Sequence, residues 1–170
     1  MRNQDLALRT LDPNFGVKAL QQILENAPRY SLNVSGALQP VNAAEEVFSA
    51  VPSNFERSKK YVYGIFLNSQ PVGCIDVLRG YPSEDTAMIG LLLLAESEQA
   101  KGLGKLAYRS LESIISSWSE VSRIRISVVR TNDEVLGFWK KMGFLETGGR
   151  RPYENGSIKS EAIILEKPIT

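Results

Sequence analysis

The sequence predicts a mixed α/β (α+β) fold, a mostly antiparallel, twisted sheet of six to seven strands with about four helices packed on both faces. Three observations lead there. From Lys60 onward the apolar residues stop recurring at helical intervals and fall into extended runs, which is where a sheet begins. The run 89–94 is continuously apolar, as in a strand covered on both faces. The elements follow the order β-α-α-β-β-β-α-β-α-β-β, with short turns that make sequential strands hairpins.

Leu6 and Leu8 alternate with Ala7 and Arg9, giving a first strand. Asp12-Pro13 opens a helix, with a capping oxygen and a proline preset for the first turn. Val17, Leu20, Ile23 and Leu24 form its apolar stripe, and Pro28 stops it. Residues 28–40 lack helical periodicity and read as a loop. Asn42 and Glu45 have capping-box spacing at the head of a second short helix, 42–50, whose Ala44, Val47 and Phe48 face inward before Val51-Pro52 ends it. Residues 61–67 and 72–78 are strands joined by Asn68-Ser69-Gln70-Pro71. The turn 80–85 leads into a strand over 87–94. Leu103, Leu106, Ala107, Leu111, Ile114, Ile115 and Trp118 make one helical face. Residues 124–129 form a central strand, 133–142 a helix, and 146–149 with 158–165 a closing antiparallel pair. Gly143, just past Lys140 and Lys141, is a helix stop, with Phe144 packing back.

With 170 residues the chain suffices for one domain, 1–170, with a proper core. Its 20 basic and 19 acidic residues leave a formal charge of +1, which gives no general case for nucleic-acid or membrane binding. Arg57-Ser58-Lys59-Lys60 and Arg150-Arg151 are local basic clusters, open to solvent or to a ligand phosphate. A single cysteine, Cys74, excludes an internal disulfide and a thiolate zinc site, and the absence of histidine excludes a His-based metal centre and a Ser-His-Asp triad. No metal is expected. No segment reaches the ~20 apolar residues of a membrane span, and residues 1–5 do not lead into a signal-peptide core. A cytoplasmic location is expected, as a monomer or homodimer.

The chemistry concentrates at Gln99-Ala100-Lys101-Gly102-Leu103-Gly104-Lys105, a glycine-rich turn between an apolar strand and a strong helix. Such a turn lets a ligand approach the backbone, and the first N–H groups of the helix, lacking internal partners, receive an anion. It is not a Walker loop, because the glycines are two apart and Lys105 is followed by Leu106. Ala107 completes a dinucleotide-type spacing, but position 124 is Ile, and only Glu112 and Glu120 lie near the place of the ribose-binding acid.

Gln99-x-x-Gly102-x-Gly104 after a strand, then a helix, a strand over 123–129, Asn132, and Phe138-Trp139-Lys140-Lys141-Met142-Gly143-Phe144 together resemble the GNAT-type N-acetyltransferase superfamily. The resemblance covers about residues 82–168 closely and implies a GNAT-like sheet. It implies acetyl-CoA as co-substrate, with its pyrophosphate on Gln99, Ala100, Lys101, Gly102, Leu103, Gly104 and Lys105. The pantetheine arm would lie between the fourth and fifth strands along the backbone of Leu92, Leu93 and Leu94, and a backbone N–H there would stabilise the oxyanion as an amine attacks directly. Asn132 is the implied side-chain contact to the arm, or a helix cap; Phe138 and Trp139 are implied CoA contacts, or core.

Two departures shape the chemistry. Many members carry Tyr at the position of Trp139, where a hydroxyl protonates the leaving thiolate, and an indole cannot. The usual early Glu of the fourth strand falls at Met88. Asp76, an acid between Ile75 and Val77 in an apolar strand, becomes the candidate base or ammonium partner, and Tyr81 a candidate proton donor, beside Tyr153 or water. Transfer by proximity to an already neutral amine stays open. The expected function is acetyl-CoA-dependent N-acetylation of a primary amine, on a small molecule or peptide gripped by Arg29, Tyr30 and Leu32, by residues 81–85 and by residues 150–157. The alternatives are a non-catalytic acyl-CoA-binding or regulatory protein on the same fold, and a dinucleotide-binding module.

Overall fold

Seven strands form one sheet in the order β1-β2-β3-β4-β5-β7-β6, and only β4 and β5 run parallel. The computed structural model describes residues 5–169; residues 1–4, part of the stretch read above for a signal-peptide core, and residue 170 lie outside the described residues. The strands are β1 (Leu6–Thr10), β2 (Lys60–Leu67), β3 (Gln70–Arg79), β4 (Thr86–Leu94), β5 (Arg123–Val129), β6 (Leu145–Asn155) and β7 (Ile158–Pro168). The helices are α1 (Val17–Glu25), α2 (Pro28–Ser35), α3 (Ala43–Ser49), α4 (Leu103–Ser116) and α5 (Leu136–Lys141). Five helices replace the expected four, and three of them, not two, separate β1 from β2.

β2 and β3 form the expected hairpin, with Asn68 and Ser69 both at positive φ in a two-residue turn that matches the strand twist. Alternation along the strands then assigns two cores. Ile75 and Val77 of β3, with Tyr63, Ile65, Ile89, Ile124 and Ile126, pack beneath Leu103, Ala107, Leu111 and Ile115 of α4. Leu111 and Ile115 are fully buried, each removing an apolar side chain from water for about 1.5–3 kcal/mol. Val62, Cys74 and Leu93 point the other way, against Leu20, Ile23 and Leu24 of α1 and Ala43 and Ala44 of α3.

Several details differ from expectation: β6 runs on from the expected 146–149 to Asn155, and α5 starts only at Leu136, after a 3-10 turn over Arg130–Val135. α1 begins at Val17, because the Asp12 carboxylate accepts from the N–H of Asn14 at 2.7 Å and closes a separate turn ahead of the helix. Residues 28–35, expected as loop, are helical: Pro28 ends α1 and also opens α2 at its first turn, where its fixed φ suits a helix. Asn42 makes no side-chain cap; its amide donates to Glu46 instead.

Candidate active site

β4 and β5 pair from Thr86 with Arg123 to Ile89 with Ile126, and then part. Beyond that point β4 stays with β3 as far as Leu94, while β5 stays with β7 as far as Val129. Residues 90–94 and 127–129 therefore face each other across a wedge without strand hydrogen bonds between them. Gly90 stands at its apex. It is also the residue skipped in the β3–β4 register, where Asp76 opposes Leu91 and Val77 opposes Ile89.

The glycine-rich turn closes the wide end of this wedge. Gln99 does so through its side chain, whose amide donates to the carbonyl of Leu94 at 2.9 Å and fastens the turn to the end of β4. Gly102 adopts φ +81°, and a side chain built there meets nothing within 4 Å, so the turn opens onto free space. Leu103 is buried and anchors the first turn of α4. The N–H groups of Leu103, Gly104 and Lys105 precede the bond from Leu106 to Gly102 and have no partner within the helix; Lys105 adds positive charge, while Lys101 is paired with Glu98 at 3.5 Å. Backbone groups along 90–94, an anion-receptive helix end and open space at Gly102 fit an extended ligand ending in phosphates.

The far wall of the wedge comes from the segment after β5. Asn132 is buried, and its Oδ1 accepts from Nδ2 of Asn33 at 3.1 Å. Phe138 approaches Gly104, whose added Cβ would lie 3.4 Å from the ring. Trp139 is nearly buried in an aromatic cluster, with ring centroids 5.0 Å from Phe138, 5.9 Å from Tyr108 and 5.2 Å from Phe144.

Asp76 lies on the α1–α3 face of the sheet. Its Oδ1 accepts from Nζ of Lys60 at 2.7 Å, an ion pair whose side chains are 18% and 5% exposed respectively. Its Oδ2 is turned to Gly90, at whose position a Cβ would come within 3.2 Å. Burial raises the Asp76 pKa, and the charge and hydrogen bond of Lys60 oppose that rise. Cys74, two residues before it, is pushed up to about 12, by burial first and then by the Asp76 charge. The Tyr30 hydroxyl of α2 is raised as well, by burial foremost and then by Tyr153, Cys74 and Asp76.

Tyr81 is not brought to this cluster. Its ring packs edge-on against Phe55 and its N–H binds the carbonyl of Thr86, at the other end of β4 from the glycine turn. Along the strand that is roughly 13 Å from Gly90. Tyr153 instead donates to the carbonyl of Val34 in α2 at 2.7 Å. Sequence reasoning placed Lys60 only in a basic cluster open to solvent or a phosphate, whereas it is buried against Asp76, and it missed Asn33; their partners come from strand register and from an unforeseen helix. Among the described residues no group of three or more His, Cys, Asp or Glu could hold a metal ion, and no helix is long and apolar enough to cross a membrane.

Residues 17–144 match the model of the acetyltransferase (GNAT) family. No curated protein matches the sequence. Among solved structures, an acetyltransferase from Salmonella typhimurium that modifies the N-terminal serine of a 50S ribosomal subunit protein superposes with a TM-score of 0.78 at 19% identity, covering 99% of this chain and 96% of that one. An acetyltransferase from Thermus thermophilus gives 0.76 at 22% identity, covering 99% and 100%. A spermidine N-acetyltransferase from Vibrio cholerae, in complex with CoA and spermine, gives 0.73 at 12% identity, covering 96% and 95%. At these identities the likeness is one of fold.

Proposed function

The chain belongs to the acetyltransferase (GNAT) family, and from that premise we propose that it is an acetyl-CoA-dependent N-acetyltransferase passing the acetyl group directly to a primary amine. The observation that carries this reading is the wedge: β4 loses its β5 partner just past Ile89, and the same strand runs into an anion-receptive helix end at Gly102. Residues 99–105 would hold the pyrophosphate, the backbone of Leu92, Leu93 and Leu94 the pantetheine arm, and Asn132, Phe138 and Trp139 the opposite side. Acetyl-CoA supplies the activated acyl carbonyl. Asp76, with Oδ2 behind Gly90 at the apex, would meet the acceptor amine, whereas Tyr81 would act only on an acceptor reaching the Thr86 end of β4.

The acceptor class follows from proton chemistry. The chain has no histidine, and the one carboxylate at the apex among the described residues, Asp76, is held by Lys60, so strong general-base assistance is missing. An α-amino group is neutral in roughly a third of molecules near pH 7.5, a lysine amine in roughly one in a thousand. A protein or peptide α-amine is therefore the acceptor this site serves best, in keeping with the N-terminal serine modified by the Salmonella enzyme. Thiol release from acetyl-CoA, measured at pH 7.5 with peptides bearing free α-amines, a lysine derivative and a polyamine, tests this. Faster turnover with the α-amines supports it, and a polyamine or lysine preference overturns the acceptor class. Tight acetyl-CoA binding without release from any amine would favour the non-catalytic acyl-CoA-binding reading.

A further inference from the structure

Lys60 opens β2 opposite Leu78, and Asp76 opposes Val62, so Lys60 and Asp76 are diagonal neighbours on the same face of the hairpin. The lysine stem and ammonium are almost wholly buried, which is costly for a charge unless it is paired, and the pairing uses one carboxylate oxygen only. The other oxygen faces the one residue of the apex without a side chain. Gly90 is exposed, although its neighbour Ile89 is buried, so the gap beside Oδ2 opens to solvent at the point where β4 leaves β5.

We infer that Lys60 is a positioning residue of the acceptor site: its ammonium grips Oδ1 of Asp76 so that Oδ2 is presented past Gly90, as an anion, to the amine at the apex of the wedge. This rests on the transferase reading above. Among the described residues, Lys60 is the only full counter-charge facing Asp76. From α2 comes the Tyr30 hydroxyl and from β3 the Cys74 thiol, both raised and hence neutral at physiological pH, while the β4 side contributes Gly90 and Leu91. Take Lys60 away and the buried carboxylate loses both influences that oppose its rise, so it takes up a proton at higher pH and no longer offers an anion.

The test compares the wild-type chain with Lys60→Met, Lys60→Arg and Gly90→Ala. The Asp76 carboxyl is titrated by carbon-13 NMR, and kcat/KM for an α-amine peptide is followed against pH. In Lys60→Met the NMR midpoint should move up by about one pH unit or more, and kcat/KM relative to wild type at the same pH, a ratio in which the amine's own titration cancels, should fall as pH drops, with acetyl-CoA affinity little changed; Lys60→Arg should restore both. A folded Lys60→Met with unmoved midpoint overturns the inference. Should Lys60→Met not fold, Gly90→Ala reads the same seat from the other side, because its methyl would lie against Oδ2; acceptor KM should rise by about tenfold or more, and an unchanged KM overturns the inference. If the wild-type chain acetylates no amine, the transferase reading fails by itself, and the NMR midpoint still decides whether Lys60 governs Asp76.

Discussion

Asn33 donates a 3.1 Å hydrogen bond to Oδ1 of Asn132, joining α2 to the segment that follows β5. The rest of this seam is polar as well. Thr131 donates to the carbonyl of Asn33 at 2.5 Å, Tyr153 to that of Val34 at 2.7 Å, and Arg29 pairs with Glu134 at 2.8 Å. α2 thus spans from the α1 side of the sheet to the β5–β7 side, next to the wedge, and Asn132 serves both the seam and the proposed arm site.

Those two services can be separated. Asn33→Ala and Asn132→Ala each remove the same hydrogen bond and should each lower stability by about 1 kcal/mol. Only Asn132→Ala should also weaken acetyl-CoA, by about fivefold or more, the loss of one hydrogen bond to the arm. Calorimetric titration with acetyl-CoA checks this. Equal affinities in the two variants would leave Asn132 as part of the seam alone.

Gly102 combines positive φ with open space in front of it, so Gly102→Val should behave differently from an ordinary core substitution. Strain at the left-handed backbone should cost about 1–2 kcal/mol in thermal unfolding. The new side chain projects into the space where the phosphates are proposed to sit, and acetyl-CoA affinity should fall by about a hundredfold. Affinity within about twofold of the wild-type value in a folded variant would remove the turn from the binding site.

Trp139 occupies a nearly dry aromatic cluster, and its indole cannot protonate a thiolate. Trp139→Phe should lower stability by about 1–3 kcal/mol through lost packing, with turnover per folded molecule within about threefold of wild type. Trp139→Tyr should preserve or raise turnover. A drop of about a hundredfold in Trp139→Phe at normal acetyl-CoA affinity would mean that the indole acts in the reaction itself.

The turn between β3 and β4 hangs on Asp85. Its carboxylate accepts from the Ser83 hydroxyl at 2.6 Å, from Arg123 at 2.6 Å and from the Thr86 hydroxyl at 3.0 Å, which together hold its pKa at about 2, below the unfolded value of 3.8. A depressed acid binds fewer protons folded than unfolded, so its stabilising contribution is complete above about pH 4 and is lost as pH falls towards 2. Asp85→Asn should flatten the dependence of the unfolding midpoint on pH across that window. An unaltered slope would show that Asp85 titrates alike in both states.

The strands, the hairpin and the glycine turn were legible because each is signalled by its own residues: the extended apolar run over 61–67, the link Asn68-Ser69-Gln70-Pro71, of which only Asn68 and Ser69 form the turn, and Gly102 before the stripe of α4. α2 was not, because only Ser31 of its eight residues is buried and its anchors are backbone carbonyls and polar groups far along the chain, which leave no apolar period to read. Asp76 stood out as an acid in an apolar strand, but its partner did not. Lys60 becomes its neighbour only through the β2–β3 register, and the gap at Gly90 only through the offset between β3 and β4. Asp12-Pro13 misled because an Asp that closes a turn and an Asp that caps a helix carry the same local signature.

The central claim is that the wedge between β4 and β5 is the acetyl-CoA site, and a crystal structure of the chain with acetyl-CoA measures it directly. The pyrophosphate is expected on the N–H groups at the start of α4, the pantetheine arm beside Leu92, Leu93 and Leu94, and the acetyl group at Gly90 with Oδ2 of Asp76 facing the acceptor side. Acetyl-CoA bound away from the wedge, or a wedge that stays empty at saturating acetyl-CoA, would contradict it.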